Sequence, residues 1–247
     1  IRDKKRCLES ILWFKPTHII LASALKHVDV CELSPHESIK TNILGINNII
    51  EIIKENSDKL DFINIVLMVS TDKACSPINV YGMSKSIAER IVTSASNLNL
   101  KTKFVAVRYG NVLESRGSII PLFKYQSGNC DAITITDTRM TRYVMTLEES
   151  VDLIDYTMEN AKSGETLIPN LPSMKIVDLA NIFSEISGKP VKCIGMRPGE
   201  KLHEDLINEP ESMRTRLVGE YLAVASSFTM PFSNKNHVTR SDMSLMN

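Results

Sequence analysis

Tyr81 and Lys85 close the stretch Tyr81-Gly82-Met83-Ser84-Lys85, a spacing that sets both on one helix face, one turn apart. An ammonium beside a phenol favours the phenolate, so such a pair could take a proton from a hydroxyl near neutral pH. Alone, the pair means little, because a solvated helix face offers the same two letters by chance. A second cluster adds weight. Thr71, Asp72 and Lys73 follow directly on the apolar run at residues 62–70 (FINIVLMVS). An acid and a base side by side at the end of a buried strand are poor structural filler, and both can move protons. A capping Asp with an exposed Lys is the plain alternative.

These residues need elements to hold them. Helical periodicity spans residues 3–14 and stops at Pro16. Residues 17–22 (THIILA) read as a strand buried on both faces. A long helix is expected over 34–56, with Pro35 in its first turn behind a Ser34 cap. The run at 62–70 is the next strand, 77–98 the next helix and 103–109 (KFVAVRY) a third strand. Strand and helix in alternation indicate a parallel α/β sheet, whose ligands bind beyond the carboxyl ends of the strands. Those ends carry Ala22, the Thr71-Asp72-Lys73 cluster and Asn111. Further on, helices are expected at 117–126, 147–160 and 175–187, with strands at 132–136, 165–168 and 191–194.

Composition narrows the class. The 247 residues carry 29 basic and 29 acidic side chains, a formal net charge of zero, and no long basic run. Broad attraction to nucleic acid or to an acidic membrane therefore has no electrostatic footing. Apolar stretches are too short to span a bilayer and no signal-peptide pattern opens the chain, so it reads as soluble and cytoplasmic. The five scattered cysteines suggest reduced thiols. The five histidines form no ligand group, so no metal site is expected.

Nine blocks in order give the sequence a family likeness: ASALKHV, KTNILG, VSTDKA, YGMSK, RYGNV, SRGSIIPLF, MTRYVMTLEESVDL, LPSMKIVDLA and RPGEKLHE. It resembles the extended short-chain dehydrogenases, and within them the polysaccharide-biosynthesis 4,6-dehydratases. The likeness implies a Rossmann-like doubly wound parallel sheet with a smaller C-terminal α/β substrate lobe. A partial NAD(P)-binding domain is expected over 1–112 and a mainly substrate-binding lobe over 113–225, some segments of which return to the first domain. A polar tail would occupy 226–247. The Asp72-Lys73 pair matches the dehydratase pattern, and Tyr81 stands where a related membrane-anchored, C5-retaining branch usually has Met. Both favour the soluble branch that inverts C5 of UDP-N-acetylglucosamine.

The resemblance also assigns roles. Tyr81, supported by Lys85, would deprotonate the sugar C4 hydroxyl, with Thr71 bonded nearby. Lys73 would remove the C5 proton and Asp72 would protonate the departing C6 hydroxyl. Ala22, Lys26, Asn42, Tyr81 and Lys85 would lie along NADP, with NAD as the open alternative. Asn111, Ser115, Arg116, Gly117, Arg142, Arg197 and Glu200 would hold the nucleotide diphosphate. His27 and His203 read as structural, and a homo-oligomer is expected.

The match has gaps. The ten glycines include no GxGxxG or GxxGxxG, so the loop that seats a dinucleotide pyrophosphate on a helix N-terminus is missing. Ile1-Arg2-Asp3 resembles the segment after the family's third strand, so two strands and their helices are expected to precede it in an active parent protein. Cys75 and Glu114 replace residues usually smaller or apolar. A retaining dehydratase, a 4-epimerase on the same scaffold and a non-catalytic sugar-nucleotide binder stay open as alternatives.

Overall fold

The computed structural model describes residues 1–227; the expected polar tail lies almost wholly outside the described residues. The chain runs α1 (Lys4–Phe14), β1 (His18–Leu21), α2 (Val28–Leu33), α3 (Pro35–Ser38), a π-helical stretch (Ile39–Leu44) and α4 (Gly45–Glu55). Then come β2 (Ile65–Val69), a 3-10 turn (Asp72–Ala74), α5 (Val80–Ser94), β3 (Lys103–Val107), β4 (Asn111–Val112) and α6 (Ile119–Asn129). The remainder is β5 (Ile133–Ile135), β6 (Thr141–Met145), α7 (Leu147–Asn160), β7 (Thr166–Pro169), β8 (Ser173–Lys175) and α8 (Ile176–Ser187). Last are β9 (Val191–Cys193), α9 (Glu209–Ser212), β10 (Thr215–Val218) and β11 (Tyr221–Val224).

The main sheet has the order β1-β2-β3-β7-β11-β10, its first four strands parallel. Strand alternation sorts the core into two layers. Val66, Met68, Phe104 and Ala106 face Ile46, Ile49 and Ile53 of α4 and Ala88 and Val92 of α5. Their neighbours Leu67, Val105 and Val107 face the other way, against Leu153 of α7. Helices thus cover both faces of a parallel-dominated sheet, as the Rossmann-like expectation requires. An antiparallel hairpin, β10–β11, extends it beyond β7. Its turn is Gly219-Glu220, where Gly219 takes φ +58°, a value that suits glycine in a tight hairpin.

Two expectations change. β1 is not buried on both faces, because it lies at the sheet edge paired with β2, while α7 packs over β2, β3 and β7. Ile20, on the α7 side, is 47 % exposed. The helix expected over 34–56 is broken by the π-helical stretch, and Ser34 occupies the cap position without a side-chain bond. The wider π turn carries Asn42 inward. Its amide accepts from Leu25 N (2.8 Å) and donates to Leu25 O and Ser84 Oγ (3.0 Å each), tying the loop after β1 to α5.

A second lobe forms beside the sheet. β4, β6 and β8 make one small sheet and β5 pairs with β9. Phe123, Ile133, Ile135, Met140, Ile176 and Ala180 fill the core between α6, α8 and these strands. α7 starts on a capping box, Thr146 with Glu149, and returns the chain to the main sheet at β7.

Candidate active site

The ends of β1, β2 and β3 open into a cleft of about 380 Å³. Ala22 and Lys26 follow β1, Thr71 and Lys73 follow β2, Tyr81 and Lys85 come from α5, and Asn111, Ser115 and Gly117 form the far wall. The main-chain bond from Asp72 N to Tyr109 O (3.0 Å) continues the β2–β3 pairing past the strand ends and fixes the turn. Asn79 starts α5: its Oδ1 accepts from Gly82 N (2.7 Å), and its Nδ2 donates to Gly199 O (2.8 Å), reaching the RPGEK segment. Gly82 packs so tightly on the turn that a Cβ there would run into the Lys73 carbonyl.

Asp72 is fully buried. Its Oδ1 accepts from Thr71 Oγ1 (2.9 Å) and Lys73 Nζ (3.1 Å), while Oδ2 has no hydrogen bond. Lys85 is buried and donates to the Val69 carbonyl. Burial pushes its pKa down to about 8, with Glu89 opposing. Burial likewise holds the Tyr81 phenol well above its usual range, Thr71 pulling it back and Asp72 adding to the rise. Lys85 is thus committed to the strand end, and the phenol's hydrogen-bond partner is Thr71 rather than the ammonium that the spacing suggests.

Other expected residues are spread more widely. Asn42 is 1 % exposed and engaged in the clamp described above, outside the cleft wall. Arg116 is exposed, and its carbonyl, not its guanidinium, makes the link across the cleft by accepting from Lys26 Nζ at 2.6 Å. Arg142, Arg197 and Glu200 line a second cavity of about 190 Å³, which shares Asn111, Gly117 and Ser118 with the first. Arg142 donates to the carbonyls of Thr141 (2.7 Å), Lys201 (3.0 Å) and Leu202 (3.3 Å). Glu200 accepts from the Arg197 amide at 3.1 Å. His27 lines the cleft, and His203 Nδ1 lies 2.8 Å from Thr141 Oγ1. Two residues went unread in the sequence: Glu204, which touches Lys73, and Arg108, which is bonded to Glu89 and Glu211. Glu204 stands inside the RPGEKLHE block, but no spacing rule ties it to Lys73.

The cleft wall also holds unspent polar atoms. The hydroxyls of Ser70 and Ser118 are buried without hydrogen-bond partners, as expected of a wall that meets a polar ligand. The residues present fit the reactive half of a dinucleotide here. No glycine-rich cradle for its pyrophosphate exists in the sequence. Among the described residues no cluster suits a metal ion, and no helix is long and apolar enough to cross a membrane.

Comparison with known proteins agrees with this architecture. CapD of Staphylococcus aureus, a capsular polysaccharide biosynthesis protein, is 44 % identical over 85 % of this chain, which spans 35 % of CapD. A UDP-N-acetylglucosamine 4,6-dehydratase (inverting) of Campylobacter jejuni is 41 % identical over 92 % of this chain and 66 % of its own length. The X-ray structure of Pen from Bacillus thuringiensis superposes with a TM-score of 0.84 at 34 % identity, covering 92 % of this chain and 71 % of that one. The chain thus spans about a third to two thirds of these curated relatives. The profile described as "Polysaccharide biosynthesis protein" matches residues 1–226, and with its Rossmann-like sheet and cleft the chain belongs to that family.

Proposed function

We propose that the protein to which this chain belongs dehydrates UDP-N-acetylglucosamine to a 4-keto-6-deoxy sugar nucleotide with inversion at C5. The observation that carries the reading is the cleft itself. Thr71, Lys73, Tyr81 and Lys85 meet on one wall, with Asp72 bonded to Lys73 behind it. The likeness to the Campylobacter jejuni enzyme supports the substrate.

When bound, a nicotinamide supplies the acceptor for a hydride from C4 and the donor that returns it at C6. The chain's residues do the rest. Tyr81 takes the C4 hydroxyl proton, and Thr71 bonds the same oxygen. The C4 ketone acidifies C5, and Lys73 removes that proton. Asp72 protonates the C6 hydroxyl as it leaves as water. Reprotonation of C5 from the opposite face gives the inverted product. Burial opposes the phenolate of Tyr81, so a positive charge beside it, such as that of an oxidised nicotinamide, would be needed to favour loss of its proton. The second cavity, with Asn111, Arg197 and Glu200, takes the uridine diphosphate, and Arg142, tied to backbone carbonyls, adds its charge to the wall. Gly117 lines both cavities and Ser115 the first, with Arg116 between them in the chain as a further donor to the diphosphate.

NADP, a homo-oligomer and action in the cytoplasm complete the reading on the strength of the resemblance. A parent protein that supplies the missing pyrophosphate loop would be active, and this chain alone impaired. The test incubates the complete gene product, with whatever precedes Ile1, with UDP-N-acetylglucosamine in deuterium oxide. Proton NMR should show a 4-keto-6-deoxy product, deuterated at C5 with inverted coupling. A C4 epimer would instead make it an epimerase, and no turnover with cofactor bound would refute the catalytic reading.

A further inference from the structure

Lys73 faces two carboxylates, not one. Its Nζ lies 3.1 Å from Asp72 Oδ1 and 3.4 Å from Glu204 Oε1. The acid side chains are 1 % and 3 % exposed, whereas that of Lys73 is 21 % exposed and reaches the cleft. Neither acid lines the cleft, and Glu204 meets Lys73 from behind its wall.

The stretch that delivers Glu204 has neither helix nor strand, yet it is pinned repeatedly. Arg142 holds the Lys201 and Leu202 carbonyls, and Thr141 bonds His203. Lys201 Nζ donates to Cys75 O and Arg108 Nη1 to Leu206 O, each at 2.8 Å. Two buried guanidiniums fix one irregular stretch. Glu204 Oε2 has no hydrogen bond and only Lys201 Nζ at 3.7 Å. Burying a carboxylate so poorly satisfied costs stability that an apolar side chain would not, which argues for a role other than folding.

We propose that Glu204 is a positioning residue for Lys73: its carboxylate holds the lysine nitrogen at the cleft wall and stabilises the positive charge that forms there as the C5 proton arrives. In that step the C5–H bond breaks and an N–H bond forms on Nζ. The electron pair passes into the C4 ketone as an enolate, and the new ammonium meets a charge already in place. The inference rests on the reading of Lys73 as the C5 base. Removing the Glu204 charge would therefore disfavour an ammonium at Nζ. Of the other charged and titratable groups around Lys73, Asp72 bonds it on its own turn, Lys201 pairs with Glu204, and Tyr81 and Lys85 from α5, Tyr109 after β3, and Lys26 and His27 after β1 line the same cleft.

The test follows two readouts in the complete gene product. One is the pH dependence of Lys73 acetylation by trace acetic anhydride, read by mass spectrometry without substrate. The other is C5 deuterium exchange of UDP-N-acetylglucosamine with cofactor present. In Glu204→Gln the acetylation limb should move to lower pH, and the exchange plateau should fall roughly 10- to 100-fold. Glu204→Asp, which keeps the charge but shortens the reach, should retain the wild-type limb and still lose plateau. Limb and plateau both at wild-type values in Glu204→Gln, or a wild-type plateau in Glu204→Asp if the first variant does not fold, would overturn the inference. A limb that shifts in a wild-type background showing no exchange would instead refute Lys73 as the C5 base, leaving its coupling to Glu204 intact.

Discussion

Two places in this molecule set one cation between two buried carboxylates, and they are built to opposite ends. Arg108, 2 % exposed, sits between Glu89 and Glu211 with every donor group engaged. Nε bonds Glu89 Oε2 (3.2 Å), Nη1 bonds Glu211 Oε2 and Leu206 O (2.8 Å each), and Nη2 bonds both acids. Burial works against the guanidinium charge, but Glu89 and Glu211 outweigh it and hold its proton above the usual range. Glu211 is held low in turn, since Arg108 overcomes the effect of burial. Lys73 has looser contacts, an open side toward the cleft, and acids that each keep an oxygen without a hydrogen bond. A guanidinium that cannot give up its proton welds α5, β3 and α9 together. An amine that can do so is left partly unsatisfied at the cleft wall. On the proposed function, the same charge pattern serves the fold in one place and chemistry in the other, and hydrogen-bond satisfaction tells them apart.

Breaking each cluster should fail in a different way. Lys73→Met should lower C5 deuterium exchange by roughly 100- to 10,000-fold. It also takes the cation from Asp72 and Glu204, so the urea unfolding midpoint should fall, though less than in Arg108→Met, whose cation is more fully bonded. An unchanged exchange rate would erase the contrast. Arg108→Met should act on stability instead, leaving two buried acids without their partner at a cost of about 3–5 kcal/mol in urea unfolding. Substrate affinity of the protein that remains folded should hold.

Lys85 sharpens the comparison, because it is a buried cation with no acid bonded to it. Its pKa falls from 10.5 to about 8 through burial. Below pH 8 it is charged in both the folded and unfolded chain, and the folded state carries the burial penalty. Between about pH 8 and 10.5 only the unfolded chain keeps the proton, so stability gains with rising pH. Lys85→Met should therefore be more stable than wild type at pH 7, by up to about 3 kcal/mol, and the gap should close toward pH 10. Paired urea titrations at the two pH values measure it, and a gap independent of pH would show that the burial penalty is absent. The smallest effect expected is that of Gly82→Ala, whose new methyl would push α5 off the Lys73 carbonyl. A loss of about 1–3 kcal/mol with a larger relative loss of C5 exchange would show that the turn and the helix must touch for the cleft to work.

Much of this was readable in advance. The apolar run ending in Thr71-Asp72-Lys73 marked both β2 and the polar turn at its cleft end, since hydrophobic strands and their polar ends are local features. The helix expected at 147–160 is found at those bounds, and the structure shows why its start is sharp: a Thr146–Glu149 capping box, which depends on four consecutive positions. The β10–β11 hairpin was legible in principle from Gly219-Glu220 between two apolar-rich runs. The exposed edge of β1 was not, because an apolar strand looks the same whether or not a neighbour covers it. Nor was the π-helical stretch, whose reason lies in the Leu25 backbone that Asn42 must reach.

The sequence by itself determined the alternation of strand and helix, the parallel α/β class, and the residue types gathered at the strand ends through short-range periodicity and local chemistry; the Rossmann-like class came from the family likeness. Only the tertiary structure decided that Lys85 answers to the Val69 carbonyl, that Arg142 spends its donors on the backbone, and that Glu204 backs Lys73. Those outcomes depend on which polar groups the packed chain brings within hydrogen-bond reach, and distance along the chain does not encode distance in space.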